Sequence, residues 1–155
     1  MGTSWKRPVQ ILVVDDDTPS AYLMEKCLRD SCVNSRVTCA NDGQEALDFL
    51  TRVRPHENAP RPDLIFLDLH MPRKDGFEVL AEIKSDHILK RIPVIVMTSS
   101  REQIDVNNVY DLHANCYVQK PADLDEFCRL IRSIEEFWFA MALWPTAEPV
   151  FSDVD

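Results

Sequence analysis

Five side chains in this sequence have types suited to phosphoryl chemistry, and each closes a short apolar run. Asp15 and Asp16 follow Val9–Val14, Asp68 follows Leu64-Ile65-Phe66-Leu67, Thr98 closes Ile92–Met97, and Lys120 follows Asn115–Gln119. Carboxylates without an accompanying His or Cys pair form an oxygen donor set for a hard cation, magnesium first among them. Three carboxylates at close range repel one another, and a cation offsets that repulsion. With such a cation beside it, Asp68 could accept a phosphoryl group as an aspartyl phosphate. The Lys120 ammonium and the Thr98 hydroxyl could then hold the other phosphoryl oxygens. Taken singly, an Asp after a strand is a common turn or cap residue. The chemistry depends on all five meeting in space.

The elements between them provide for that. The run before Asp68 is bounded by Pro62 and Pro72 and reads as a strand buried on both faces, as in a parallel sheet covered by helices. Strands are predicted at Val9–Val14, Ser35–Cys39, Leu64–Leu67, Ile92–Met97 and Asn115–Gln119. Helical spacing intervenes at about Ser20–Asp30, where Tyr22, Leu23, Cys27 and Leu28 form the expected buried face. It returns around Ala46, Leu47 and Leu50, around Phe77, Leu80, Ala81 and Ile83, and over Glu102–Leu112. The last helix starts near Asp123, with a stripe of Leu124, Phe127, Leu130, Ile131 and Ile134. Asp75 with Glu78, and Asp123 with Glu126, have capping-box spacing. Asn41-Asp42-Gly43 reads as a turn, and Arg52–Pro62 as a long loop. Strand and helix alternation gives an α/β fold, a doubly wound five-stranded parallel sheet in a flavodoxin-like three-layer sandwich. All parallel strands end on one side, the side where ligands bind in open α/β sheets.

Composition sets the bounds. The chain has 155 residues, 45% hydrophobic and 28% charged, with a net charge of −9. The acidic balance and the lack of a basic block exclude a nucleic-acid binder. No apolar run is long enough for a membrane span, and the start lacks a secretory apolar centre. A cytoplasmic location is expected. Cys27, Cys32, Cys39, Cys116 and Cys128 are odd in number, without C-x-x-C spacing, and read as reduced, mostly buried thiols.

Two other folds with phosphate chemistry fit less well. A haloacid-dehalogenase-type phosphatase needs its nucleophile on the first strand in an Asp-x-Asp-x-Thr/Val pattern, and here Thr18 arrives one position early. A flavodoxin needs a Ser/Thr/Gly-rich phosphate loop after the first strand, where this chain has three acids. The set Ile11-Leu-Val-Val-Asp-Asp-Asp, Leu64-Ile-Phe-Leu-Asp-Leu-His-Met-Pro-Arg-Lys-Asp-Gly, Pro93-Val-Ile-Val-Met-Thr-Ser and Tyr117-Val-Gln-Lys-Pro resembles the receiver domain of two-component response regulators. The resemblance implies that Asp68 is the phospho-acceptor. It also implies that Asp15, Asp16, Asp68 and the backbone carbonyl of His70 ligate Mg2+, and that Thr98 and Lys120 contact the phosphoryl group. Tyr117 would be the switch residue that turns inward when Thr98 moves, and the Lys120–Pro121 bond would be cis. Such a protein is a phospho-acceptor with self-catalysed transfer and slow autodephosphorylation, not an enzyme of metabolism. The Ala59-Pro-Arg-Pro-Asp, Leu112-His-Ala-Asn-Cys-Tyr and Ser133-Ile-Glu-Glu-Phe-Trp segments resemble regulators paired with bacterial and cyanobacterial phytochrome kinases. A sensor histidine kinase is the implied partner.

The chain divides into an N-terminal tail (1–8), the receiver domain (9–140) and a partly apolar extension (141–155). Phe137-Trp-Phe-Ala-Met-Ala-Leu-Trp-Pro is apolar nearly all round, more than one helix face can bury. A homodimer through Phe137, Trp138, Phe139 and Trp144 is expected, with packing back on the sheet edge as the alternative, and the acidic end Ser152–Asp155 is expected to be mobile. With no output domain expected, the signal would leave through protein contacts. A degenerate receiver, acting as an interaction module without phosphorylation, is the remaining alternative.

Overall fold

The computed structural model describes residues 7–31 and 33–145, and in them five strands alternate with five helices. In chain order these are β1 (Val9–Val14), α1 (Thr18–Arg29), β2 (Ser35–Ala40), α2 (Gly43–Thr51), β3 (Leu64–Leu67), α3 (Gly76–Ser85), β4 (Val94–Thr98), α4 (Gln103–Asp111), β5 (Cys116–Gln119) and α5 (Leu124–Ala140). Every strand pairing is parallel and the spatial order is β2-β1-β3-β4-β5. Side chains alternate across the pleat, so each strand feeds two cores. Leu12, Val14, Ile65, Leu67, Val94 and Val96 pack with α2, α3 and α4. Ile11, Val13, Leu64, Phe66, Ile95 and Met97 pack with α1 and α5. The doubly wound three-layer sandwich is the predicted one.

Local chemistry explains where the helices start. The Asp75 carboxylate accepts the Glu78 N–H at 2.9 Å, and the Asp123 carboxylate accepts that of Glu126 at 3.2 Å. Both predicted caps form. A third was hidden in the Asn41-Asp42-Gly43 turn signal. Asp42 accepts from the Glu45 N–H at 2.8 Å, while the Glu45 carboxylate accepts from the Asn41 N–H at 2.8 Å. This reciprocal pair makes Asp42 the N-cap of α2.

Four expectations are corrected. Tyr22 is 65% exposed, because the buried stripe of α1 is Ala21, Met24 and Leu28 and Tyr22 lies off it. Leu124 is 56% exposed; residues 122–126 are all exposed, so the first turn of α5 stands clear of the sheet. β4 begins at Val94, two residues later than expected. A 3-10 turn at Leu89–Arg91 holds Ile92, and Pro93 has no N–H to give a ladder. The Lys120–Pro121 bond is trans, and the one cis bond among the described residues is Arg54–Pro55. Trans is intrinsically preferred, and with it Lys120 reaches both its main-chain and side-chain partners, described below.

The apolar tail divides. Phe139 is buried against the α1/α5 core, and Trp138 and Trp144 pack beside it. The Trp144 indole N–H donates to the Trp138 carbonyl, and the Phe139 and Trp144 rings lie 5.6 Å apart. Three of the four side chains expected at a dimer contact thus turn toward their own domain. Phe137 remains 54% exposed, joined by Met141 and Leu143. Cys27, Cys39, Cys116 and Cys128 are free thiols of intermediate burial. Cys32 and the 152–155 end lie outside the described residues.

Candidate functional site

Val14 pairs with Leu67 in the β1–β3 ladder, so Asp15 and Asp68 are the next residue on each of two adjacent strands. The ladder runs one step further. The Asp68 N–H donates to the Val14 carbonyl at 3.0 Å and the Asp15 N–H to the Ala40 carbonyl at 3.1 Å. Backbone pairing therefore fixes both carboxylates at the sheet's edge. From there β1 leads to α1 on one face and β3 to α3 on the other, which opens a crevice between the two strand ends.

Lys120 enters that crevice from the end of β5. Its N–H donates to the Thr98 carbonyl at 2.8 Å, and its ammonium donates to Asp15 Oδ2 at 2.6 Å and to Asp68 Oδ2 at 3.2 Å. The second oxygens are held by main-chain groups. Asp15 Oδ1 accepts the Asp17 N–H at 2.9 Å and Asp68 Oδ1 the Leu69 N–H at 2.7 Å. Asp15 is buried and Asp16 exposed, and one oxygen from each of Asp15, Asp16 and Asp68 lies within 4.8 Å of the others. An all-oxygen, acidic cluster open on one side suits a hard divalent cation.

Burial pulls the Lys120 pKa down, but the hydrogen bond to Asp15 and the charges of Asp15 and Asp68 outweigh it, and the net shift is upward from 10.5. The native state thus holds this proton above the pH at which the unfolded chain loses it. The stability Lys120 supplies is complete below pH 10.5 and fades as pH rises through the higher native value. Lys120→Met, which leaves Asp15 and Asp68 unopposed, is expected to cost about 2 kcal/mol at pH 7. Urea melts of the two proteins should differ by a constant amount from neutral pH up to 10.5 and converge above it.

Thr98 is fully buried, and its hydroxyl has no hydrogen-bond partner among the described residues. A buried polar atom left unpaired is costly, and Thr98 closes β4 beside β3, the strand that Asp68 follows. Tyr117 is partly buried, and its hydroxyl donates to the Ser100 carbonyl at 2.9 Å. The exposed His70 side chain points away to Asp105, at 3.6 Å. The structure therefore unites Asp15, Asp16, Asp68 and Lys120, places Thr98 one main-chain hydrogen bond away, and sets Tyr117 against the loop after β4. Asp105, which accepts from the Ser100 hydroxyl at 2.7 Å, was missed. Its only signal was an acid in the first turn of a predicted helix. Gly76, the last residue of the motif that begins at Leu64, packs against the main chain of Asp68 itself.

An open parallel sheet of order 2-1-3-4-5 with an acidic crevice and a lysine at its carboxyl edge defines a class of phospho-accepting α/β domains. Within that class the sequence profile of the response regulator receiver domain matches residues 11–132, and the chain belongs to that family. It is 42% identical over 140 residues to the response regulator Rcp1 of Synechocystis sp., covering 90% of this chain and 95% of that protein. The structure of the phosphorylated cyanobacterial phytochrome response regulator RcpA superposes with a TM-score of 0.87 at 44% identity, covering 90% of this chain and all of that one. The Mn2+-bound form of Rcp1 gives 0.86 at 42% identity, with the same coverage. No helix among the described residues is long and apolar enough to cross a membrane.

Proposed function

We propose that Asp68 accepts a phosphoryl group from the phosphohistidine of a sensor kinase of the phytochrome class, and that the phosphorylated form signals through protein contacts. One observation carries the reading. Three carboxylates converge within 4.8 Å, a lysine bridges Asp15 and Asp68, and the main chain of that lysine bonds Thr98, whose buried hydroxyl has no partner among the described residues. Mg2+ would be held by Asp15, Asp16, Asp68 and the His70 carbonyl, and when bound it neutralises charge on the phosphoryl group. In the transfer the phosphorus–nitrogen bond of the donor breaks and an Asp68 Oδ–phosphorus bond forms. Lys120 then exchanges its contact with Asp68 for a phosphoryl oxygen, and the Thr98 hydroxyl gains the partner it lacks. Movement of Thr98 opens space for Tyr117 to leave the Ser100 carbonyl and turn inward, a population shift that alters the surface around α4 and β5. Water later cleaves the acyl phosphate.

The kinase class is supported by the likeness to RcpA and Rcp1. Its test is phosphotransfer from a purified, autophosphorylated phytochrome kinase in the presence of Mg2+. A label that reaches this chain within seconds supports the pairing; a label that stays on the kinase while the chain still accepts from a small phosphodonor would reject the pairing alone.

The end of α5 and the segment after it are proposed to form a two-fold homodimer contact. Phe137, Met141 and Leu143 are each more than half exposed within a few residues of one another, the kind of apolar cluster that subunit contacts cover. Truncation after Glu136 would also remove the buried Phe139, so point changes are the cleaner probe. The double variant Phe137→Asp, Met141→Asp should sediment as a monomer at concentrations where wild type is a dimer. A dimer of equal strength in both would dispose of this contact.

A further inference from the structure

Cys27 of α1 and Cys128 of α5 bring their sulfurs to 3.2 Å across 101 residues of sequence. Neither is in a disulfide. They line an open pocket of about 140 Å³ together with Asp30, Ser31, Ile131, Arg132 and Glu135. Glu135 is buried to nine-tenths of its surface, and its Oε1 has no partner among the described residues. Burial holds the Glu135 carboxyl above the usual carboxylate range, against a hydrogen bond from Ser31 that lowers it. A charged side chain buried without a full partner set is expensive, and here it borders two thiols that the phosphoryl site does not use.

We propose that Cys27 and Cys128 are a redox-responsive pair, oxidised by hydrogen peroxide to a disulfide that ties α1 to α5. In the first step a Cys128 sulfur–oxygen bond forms and the peroxide oxygen–oxygen bond breaks, giving a sulfenic acid and water. The Cys27 sulfur then attacks that sulfur. The sulfur–sulfur bond forms, the sulfur–oxygen bond breaks, and the departing hydroxide receives the Cys27 proton and leaves as a second water. Two thiols and one peroxide thus yield one disulfide and two waters. Burial first, and then the hydrogen bond and charge of Cys128, push the Cys27 thiol up to about 12. A raised Cys27 thiol favours the order in which Cys128 meets the peroxide and Cys27 resolves. As Cys27 attacks, the Glu135 carboxylate, which lines the same pocket, relays the thiol proton to the departing hydroxide. Closing from 3.2 Å to a disulfide length of about 2.05 Å is a short movement. The bond would join the helix that follows the acidic turn to the helix that follows Lys120.

Reduced wild-type protein is treated with hydrogen peroxide, quenched with an alkylating agent, and digested without reductant for mass spectrometry. The expected product is a single cross-linked peptide pair joining Cys27 to Cys128, reversed by dithiothreitol, with Cys39 and Cys116 alkylated. The oxidised form should melt several degrees higher, and Glu135→Gln should slow the cross-link about tenfold. A Cys128 that proceeds to sulfinic acid beside an alkylated Cys27, or a cross-link from either residue to Cys32, Cys39 or Cys116, would overturn the pair. An unchanged rate in Glu135→Gln would overturn the role given to that carboxylate.

Discussion

Replacing Asp68 by asparagine is expected to bring phosphoryl uptake from acetyl phosphate and Mg2+ down to background, a fall of about a hundredfold or more. The change is nearly isosteric. The amide oxygen can still accept the Leu69 N–H, now held at 2.7 Å, and the main-chain bond from Asp68 to Val14 involves no side chain. One of three mutually repelling carboxylates is lost, so the thermal midpoint should hold or rise slightly. What disappears is the anionic oxygen that attacks phosphorus, and the other two acids cannot replace it. Asp15 is engaged on both oxygens, by Lys120 and by the Asp17 N–H, and Asp16 is an exposed carboxylate. Intact-mass measurement should show one hydroxylamine-labile phosphoryl group on wild type and none on the variant. Equal labelling of the two proteins would move the acceptor elsewhere and refute the proposed chemistry.

The loss should also separate acceptance from metal affinity. Asp15 and Asp16 remain in the variant, so divalent-cation binding should weaken without vanishing. For wild type, a cation present at a hundred times its dissociation constant should stabilise the fold by about 2.7 kcal/mol. Thermal melts with and without MgCl2 would show a smaller rise in Asp68→Asn than in wild type.

The sheet and most of this site were legible because the strands are short, unbroken apolar runs with a chemically distinct residue closing each. Parallel pairing turns that sequence feature into proximity, which is how Asp15, Asp68 and Lys120 meet although Lys120 is 105 residues from Asp15. Features that depend on helix phase were less legible. The buried stripe of α1 is Ala21, Met24 and Leu28, and Tyr22 lies off it; apolar residues flank that stripe, so periodicity alone does not choose the face. The tail misled for a related reason. An all-round apolar run shows that some of it must be covered, but not that Trp144 folds back on Trp138 and Phe139. Contacts between helices distant in sequence, such as Cys27 with Cys128, leave no local pattern to read.

Gly76→Ala is the substitution expected to damage the fold most for its size, and magnitudes decide its sign. At the start of α3 an alanine has the better helix propensity, by up to about 1 kcal/mol, so an unobstructed site would be stabilised. A β-carbon at Gly76 would instead lie 2.2 Å from the Asp68 carbonyl oxygen and 2.7 Å from the Leu69 Cα. Both are main-chain atoms that no rotamer change can move aside. The Gly76 N–H also donates to the Leu69 carbonyl at 2.8 Å, which pins the two segments at this separation. Overpacking should outweigh propensity and leave a net loss of about 3 kcal/mol in urea unfolding. Strain relieved by pushing β3 outward would displace Asp68 from Lys120, so the folded fraction should also accept phosphoryl groups more slowly. The expected signature is a lower urea midpoint together with slower labelling of protein that circular dichroism shows to be folded. A midpoint equal to or above that of wild type would mean that the segment between Leu69 and Gly76 relaxes freely, and that the close approach of Gly76 does not hold Asp68 in place.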